Sequence, residues 1–147
     1  MKILTLFAAL SLAAVTPALA DGHKTPSAEG TSVYFIGLAD GDTIESPVTV
    51  RFGLSGMGVA PAGTEAENTG HHHLLINRAP FGEGEEDELE YGIPADDNHI
   101  HFGGGQTEYV LELPPGEHTL QLVLGDLNHV AHADPIMSEQ ITVTVAE

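Results

Sequence analysis

The histidines in this chain fall in short clusters. There are nine of them among 147 residues, with no cysteine. "GHHHLLIN" carries His71, His72 and His73, "NHIHFGGG" carries His99 and His101, and "NHVAHADP" carries His129 and His132. Imidazole titrates near neutral pH and is the commonest metal ligand. On an extended strand, residues two apart point the same way and stand roughly 6.6 Å apart at the backbone. Two such rings can lean onto one ion with bonds of about 2.0 to 2.1 Å. Without thiolates the donors are nitrogen and oxygen, a set suited to Cu(II) or Zn(II). If the three segments meet at one end of the fold, His71, His73, His99, His101, His129 and His132 are the candidate ligands.

His23 is a separate candidate. A peptidase cut after Ala20 would expose Asp21-Gly22-His23-Lys24. The free amine, two deprotonated amides and the His23 ring could then form a square-planar nitrogen set for Cu(II) or Ni(II). Over these four residues the sequence resembles the amino terminus of serum albumins.

Alternation assigns the faces. His72, Leu74 and Ile76 share one side of a strand, and His71, His73 and Leu75 the other. The more aliphatic side belongs in the core, so His71 and His73 are expected to point outward. The same reasoning turns Ile100 and Phe102 inward and His99 and His101 outward. His118, at the start of a strand, and His72 are expected to be packed, hydrogen-bonded side chains. Metal held by exposed imidazoles should be lost as the pH falls below about 6.5.

The elements that must position these rings read as strands. "SVYFIG", "PVTVRFGLSG", "TEYVLELP", "EHTLQLVLGD" and "EQITVTVAE" alternate with period two and are enriched in β-branched residues. Gly, Pro, Asp and Asn separate them, and the Asp-Gly of "ADGDT" and the Pro-Gly of "PPGEH" mark tight turns. Val48, Val50, Phe52 and Leu54 face inward, as do Leu120, Leu122 and Leu124, and Ile141, Val143 and Val145. No stretch of the chain beyond residue 20 keeps a helical apolar period for three turns. The expectation is all-β: an immunoglobulin-like antiparallel β-sandwich of about seven strands. "GMGVAPAGTEAENTG" reads as a long crossing between sheets, and the acidic stretch within Gly82 to Gly92 as a solvated loop.

Composition bounds the rest. Residues 1–20 have the layout of a secretory signal peptide: Lys2, an apolar run, then Ala18-Leu19-Ala20. Residues 21–31 read as a flexible leader and 32–147 as the β-sandwich domain. The expected location is periplasmic or secreted, with no membrane insertion after the signal is cut. Beyond the signal, 22 acidic residues face only Lys24, Arg51 and Arg78, a balance that repels nucleic acid. No Ser-His-Asp order or nucleophile elbow is present, and "HFGGGQ" lacks the context of a phosphate loop. These features favour a non-catalytic metal-binding module. The alternative is an envelope recognition or structural module that binds protein or glycan through its loops.

The segments "GHHHLLI", "HIHFGGGQTE" and "PPGEHTLQLVLGD" are similar to those of a small exported bacterial family, domain of unknown function 4399. That resemblance implies a compact β-sandwich and brings no established activity. "NHIHFG" and "GDLNHVAHAD" also resemble, more locally, copper-zinc superoxide dismutases. Here the disulfide and the guiding basic residue of those enzymes are missing and the ligand order does not match.

Overall fold

The computed structural model describes residues 24–84 and 88–147, and among them there is no helix. Nine strands follow in order: β1 (Ser32–Ile36), β2 (Thr43–Ile44), β3 (Val48–Ser55), β4 (Gly58–Val59), β5 (Thr69–Ile76), β6 (His99–His101), β7 (Glu108–Leu111), β8 (Gly116–Gly125) and β9 (Ile141–Val145). They form a three-stranded sheet, β1-β3-β7, and a six-stranded sheet, β2-β9-β8-β5-β4, with β6 also paired to β5. The long pairings are antiparallel. β2 on β9 and β4 on β5 are short parallel pairings, so the larger sheet is mixed rather than antiparallel throughout.

The two sheets enclose one apolar core. Val33, Val50, Phe52 and Leu111 face Leu74, Ile76, Leu120, Leu122, Leu124, Ile141 and Val143 across it, and Val48 and Leu54 pack at its margin. The inward sets that period-two alternation assigns in β3, β5, β8 and β9 are thus found in the core, joined by Val33 and Leu111.

A second, smaller cluster of Leu75, Phe81, Ile93, Val123 and Ala131 covers the far side of the larger sheet. It arises because the loop after β5 and the segment after β8 fold back over that face. Gln121 bonds into it, with Oε1 accepting from the Phe81 N–H at 2.8 Å and Nε2 donating to the Ser138 carbonyl at 2.9 Å. As a result β5 is buried on both faces, and every residue from Gly70 to Ile76 is inaccessible.

The segment from Lys24, expected as leader, lies against this covered face. Thr25 Oγ1 donates to Asp126 Oδ2 at 2.7 Å, the Thr25 carbonyl accepts from Ala133 N, and Lys24 pairs with Glu90. In the acidic loop Glu88 is buried, paired with Arg78 and accepting from the Gly82 N–H. No helix among the described residues is long and apolar enough to cross a membrane.

Candidate metal centre

The face of β5 that carries His71, His73 and Leu75 is the one under the second cluster. Here the sequence expectation is corrected. His71, His73 and His99 are directed away from the main core, but they are 1%, 0% and 0% exposed rather than solvated. Alternation tells two faces apart; it does not reveal that a loop covers the second one.

Register then gathers the rings. β6 runs antiparallel beside β5 with His73 opposite His101 and Leu75 opposite His99. On the other side of β5, β8 sets Gly125 opposite His71. The His71 and His73 Nε2 atoms are 3.1 Å apart, and one ligand nitrogen from each of His71, His73 and His101 lies within 4.8 Å of the others. Two nitrogens bound at about 2.0 to 2.1 Å to one ion stand about 2.8 to 3.4 Å apart at bond angles of roughly 90 to 109°. The His71–His73 pair already has that separation.

Two glycines leave room for the rings. A Cβ on Gly125 would lie 2.8 Å from His73 Nε2, and one on Gly103 would lie 2.7 Å from His101 Nε2. Neither position was singled out from the sequence, because the need for a bare backbone appears only once the strands are in register.

His129 completes a ring of contacts. Its imidazole centroid is 4.4 Å from that of His101, 5.0 Å from His71 and 6.3 Å from His73. It sits at the tip of a hairpin that continues β8, where Asp126 N donates to the Val130 carbonyl and His129 N to the Asp126 carbonyl. His99 stands at the opposite margin, 6.1 Å from His73. His132 is fully buried with both ring nitrogens unpartnered, but it makes no ring contact with the cluster among the described residues. His23 lies outside the described residues.

The remaining histidines separate cleanly. His118 Nε2 donates to the Pro114 carbonyl and Nδ1 accepts from Asn77 Nδ2, both at 2.9 Å, so it is the packed, hydrogen-bonded side chain expected. His72 is packed against Phe52 at 5.3 Å, with the backbone of Gly53 and Gln106 beside its ring.

Burial keeps the cluster neutral. His71 is pushed down to about 4, first by burial and then by the neighbouring His101 and His129 rings, with Asp126 opposing. His73 is pushed furthest, to about 2, by burial and then by His71, His101 and His99. His99 falls to about 4 through burial and then the Arg78 guanidinium, against Glu88 and Asp96. His101 is lowered by burial and by His129. His73 Nδ1, both nitrogens of His99 and His101 Nε2 are buried without a hydrogen-bond partner. Buried polar atoms are normally paired; here, among the described residues, His71 and His73 Nε2 meet only each other and His101 Nε2 has no partner, an arrangement that a cation would satisfy. With three or four nitrogens and no carboxylate among them, the set suits a borderline ion and not Mg(II) or Ca(II).

Comparison with known proteins bears on the fold and its histidines together. The profile of one family matches residues 50–146, a span that holds every histidine of the cluster. The chain belongs to the family described as Domain of unknown function (DUF4399). The match begins inside β3, so β1 and β2 of this DUF4399 protein precede it. No curated protein and no solved structure matches the chain.

Proposed function

We propose that this DUF4399 protein is an exported, non-catalytic module that binds copper or zinc through His71, His73 and His101. The carrying observation is the convergence of three ring nitrogens within 4.8 Å, where, among the described residues, His71 and His73 Nε2 meet only each other and His101 Nε2 is buried without a partner. Burial holds the rings in the neutral form that ligates metal. The scaffold is read as an immunoglobulin-like sandwich: with the two-residue strands β2 and β4 set aside, seven strands remain. Residues 1–20 would direct export to the periplasm or beyond.

Equilibrium dialysis of the purified protein against Zn(II), with elemental analysis, tests the reading. One equivalent is expected for the native chain and none for H71A/H73A. Zn(II) is the better first probe, because an amino-terminal nitrogen set at His23 would draw Cu(II). A native chain without bound Zn(II) or Cu(II) would remove the proposal.

One observation favours the second reading, a recognition module. Tyr34, Ile36 and Val110 are exposed large apolar side chains on the outer face of the small sheet, where Ile36 is beside Arg51 and Thr49 beside Val110. That reading gains if zinc binding is absent and a partner protein or glycan protects these residues.

A further inference from the structure

His129 has a backbone conformation that histidine rarely adopts. Its φ is +64°, at the last position of the three-residue tip that links Asp126 to Val130. Tips of this kind combine a turn with a left-handed residue, and glycine is the usual occupant. Here the left-handed position carries an imidazole whose ring centre is 4.4 Å from that of His101 and 5.0 Å from that of His71, beside the three nitrogens that already lie within 4.8 Å of one another.

The tip is also tied down on several sides. Asp126 is buried, and its Oδ1 accepts from Asn128 N at 2.8 Å and Val130 N at 3.0 Å, while Oδ2 accepts from Thr25 Oγ1. The His129 carbonyl accepts from Ile93 N at 2.6 Å, and the Leu127 carbonyl accepts from Gly63 N at 2.9 Å. A left-handed residue fixed this firmly at a candidate site points from geometry to function.

We propose that His129 is the fourth ligand of the metal centre and that Asp126 is the residue that positions it. Three strand histidines come from the rigid sheet; the fourth comes from a hairpin tip whose shape Asp126 sets through two backbone N–H groups. Thr25 holds the other carboxylate oxygen. The same carboxylate acts on His71 in favour of positive charge, so it favours a divalent ion electrostatically as well as by position. With the His129 ring drawn onto the ion beside the three converging nitrogens, four imidazoles would close a tetrahedral site, the geometry of structural zinc centres. This inference rests on the metal reading of His71, His73 and His101, and its failure is distinguishable from the failure of that reading.

Zn(II) affinity and the visible spectrum of Co(II), a coloured stand-in for Zn(II), provide the test on the full chain. The native protein should give the intense bands of a four-coordinate ion. H129A and D126A should both shift those bands away from the native ones, as water replaces the imidazole, with Zn(II) binding weakened by about 10- to 100-fold in D126A, the usual effect of losing a supporting contact at a metal site, and at least as much in H129A. D126N should keep the four-coordinate spectrum, because its Oδ1 still accepts from Asn128 and Val130. Should D126A fail to fold, H129A and D126N carry the test. The proposal is overturned if H129A binds and colours like the native chain, or if folded D126A retains the native spectrum. Loss of binding in H71A/H73A with no effect of H129A removes the fourth ligand alone, whereas a native chain that takes up neither ion removes both readings.

Discussion

His71 and His73, two residues apart on β5, hold their Nε2 atoms 3.1 Å from each other in a space closed to water. Both rings are neutral there, so one carries its proton on Nε2 and donates to the other. His73 Nδ1 is left without any partner. An unsatisfied buried polar atom costs about 1–3 kcal/mol, which implies that His73 is retained at the expense of stability.

H73L is therefore expected to raise the stability of the metal-free chain, by up to about 1–3 kcal/mol, while abolishing Zn(II) uptake. Urea unfolding and dialysis measure the two effects separately. A destabilised H73L would show that the ring has a packing role the apolar side chain cannot fill.

The pH dependence also departs from what exposed histidines would give. In the unfolded chain these rings titrate near 6.5, whereas in the fold His71, His72 and His99 titrate at about 4 and His73 lower still. Between about pH 6.5 and 4 the unfolded chain holds more protons, so stability is full above 6.5 and falls as pH drops through that window. Melting temperature measured from pH 7 to 4.5 should decline accordingly, and less steeply in H72L. Zn(II) occupancy should persist below the 6.5 expected of solvated rings, because burial lowers His71, His73 and His101 alike. Dialysis at pH 7.5, 5.5 and 4 measures it, and loss already at 6.5 would contradict the buried site.

Gly125 faces His71 across the strand pair, and a methyl group there would press on His73 Nε2 at 2.8 Å and Ile93 Cδ1 at 3.4 Å. G125A should cost about 1–3 kcal/mol through overpacking and lower Zn(II) affinity at least tenfold, roughly the effect of a disturbed ligand. G58A, whose added methyl would meet nothing nearer than 3.6 Å, should leave affinity unchanged. Equal affinities for the two variants would argue against His73 as a ligand.

At His129 the two demands on the sequence oppose each other. A glycine would relieve the left-handed backbone, so H129G is expected to stabilise the metal-free fold by on the order of 1 kcal/mol and to weaken Zn(II) binding. Thermal melting with and without Zn(II) reads both: the variant should melt above the native chain without metal and below it at saturating metal, where binding adds to stability.

How much of this was legible in the sequence depends on the range of the interaction. Alternation is local, so the inward sets of β3, β8 and β9 and the division of His72 from His71 and His73 were readable. The packed role of His118 was readable too, because an apolar strand face surrounds it. What covers the second face of β5 was not readable, since Phe81, Ile93 and Ala131 come from loops with no periodicity to place them. The resulting exposure error carried over to the expected pH range. Gly103 and Gly125 look like ordinary loop and strand-end glycines until register sets them against imidazoles. Asp126 reads as a turn residue, and only the hairpin shows that the turn presents a ring to three others.

The strand order of the larger sheet has a consequence for amide hydrogen exchange. β8 lies between β9 and β5 and is buried along most of its length, so its amides, with those of β5, should open only in global unfolding. β1 and β7 are the edge strands of the small sheet and should exchange sooner, whereas the hairpin tip around His129 lies off the sheet and is anchored through Asp126, Gly63 and Ile93. The cluster thus joins the slowest-opening backbone of the protein to a tip held by loop contacts rather than by the strand ladder. A bound ion would tie the two together, and the protection it adds should appear at residues 127–130 rather than in β5. Exchange measured with and without Zn(II) would locate that added protection directly.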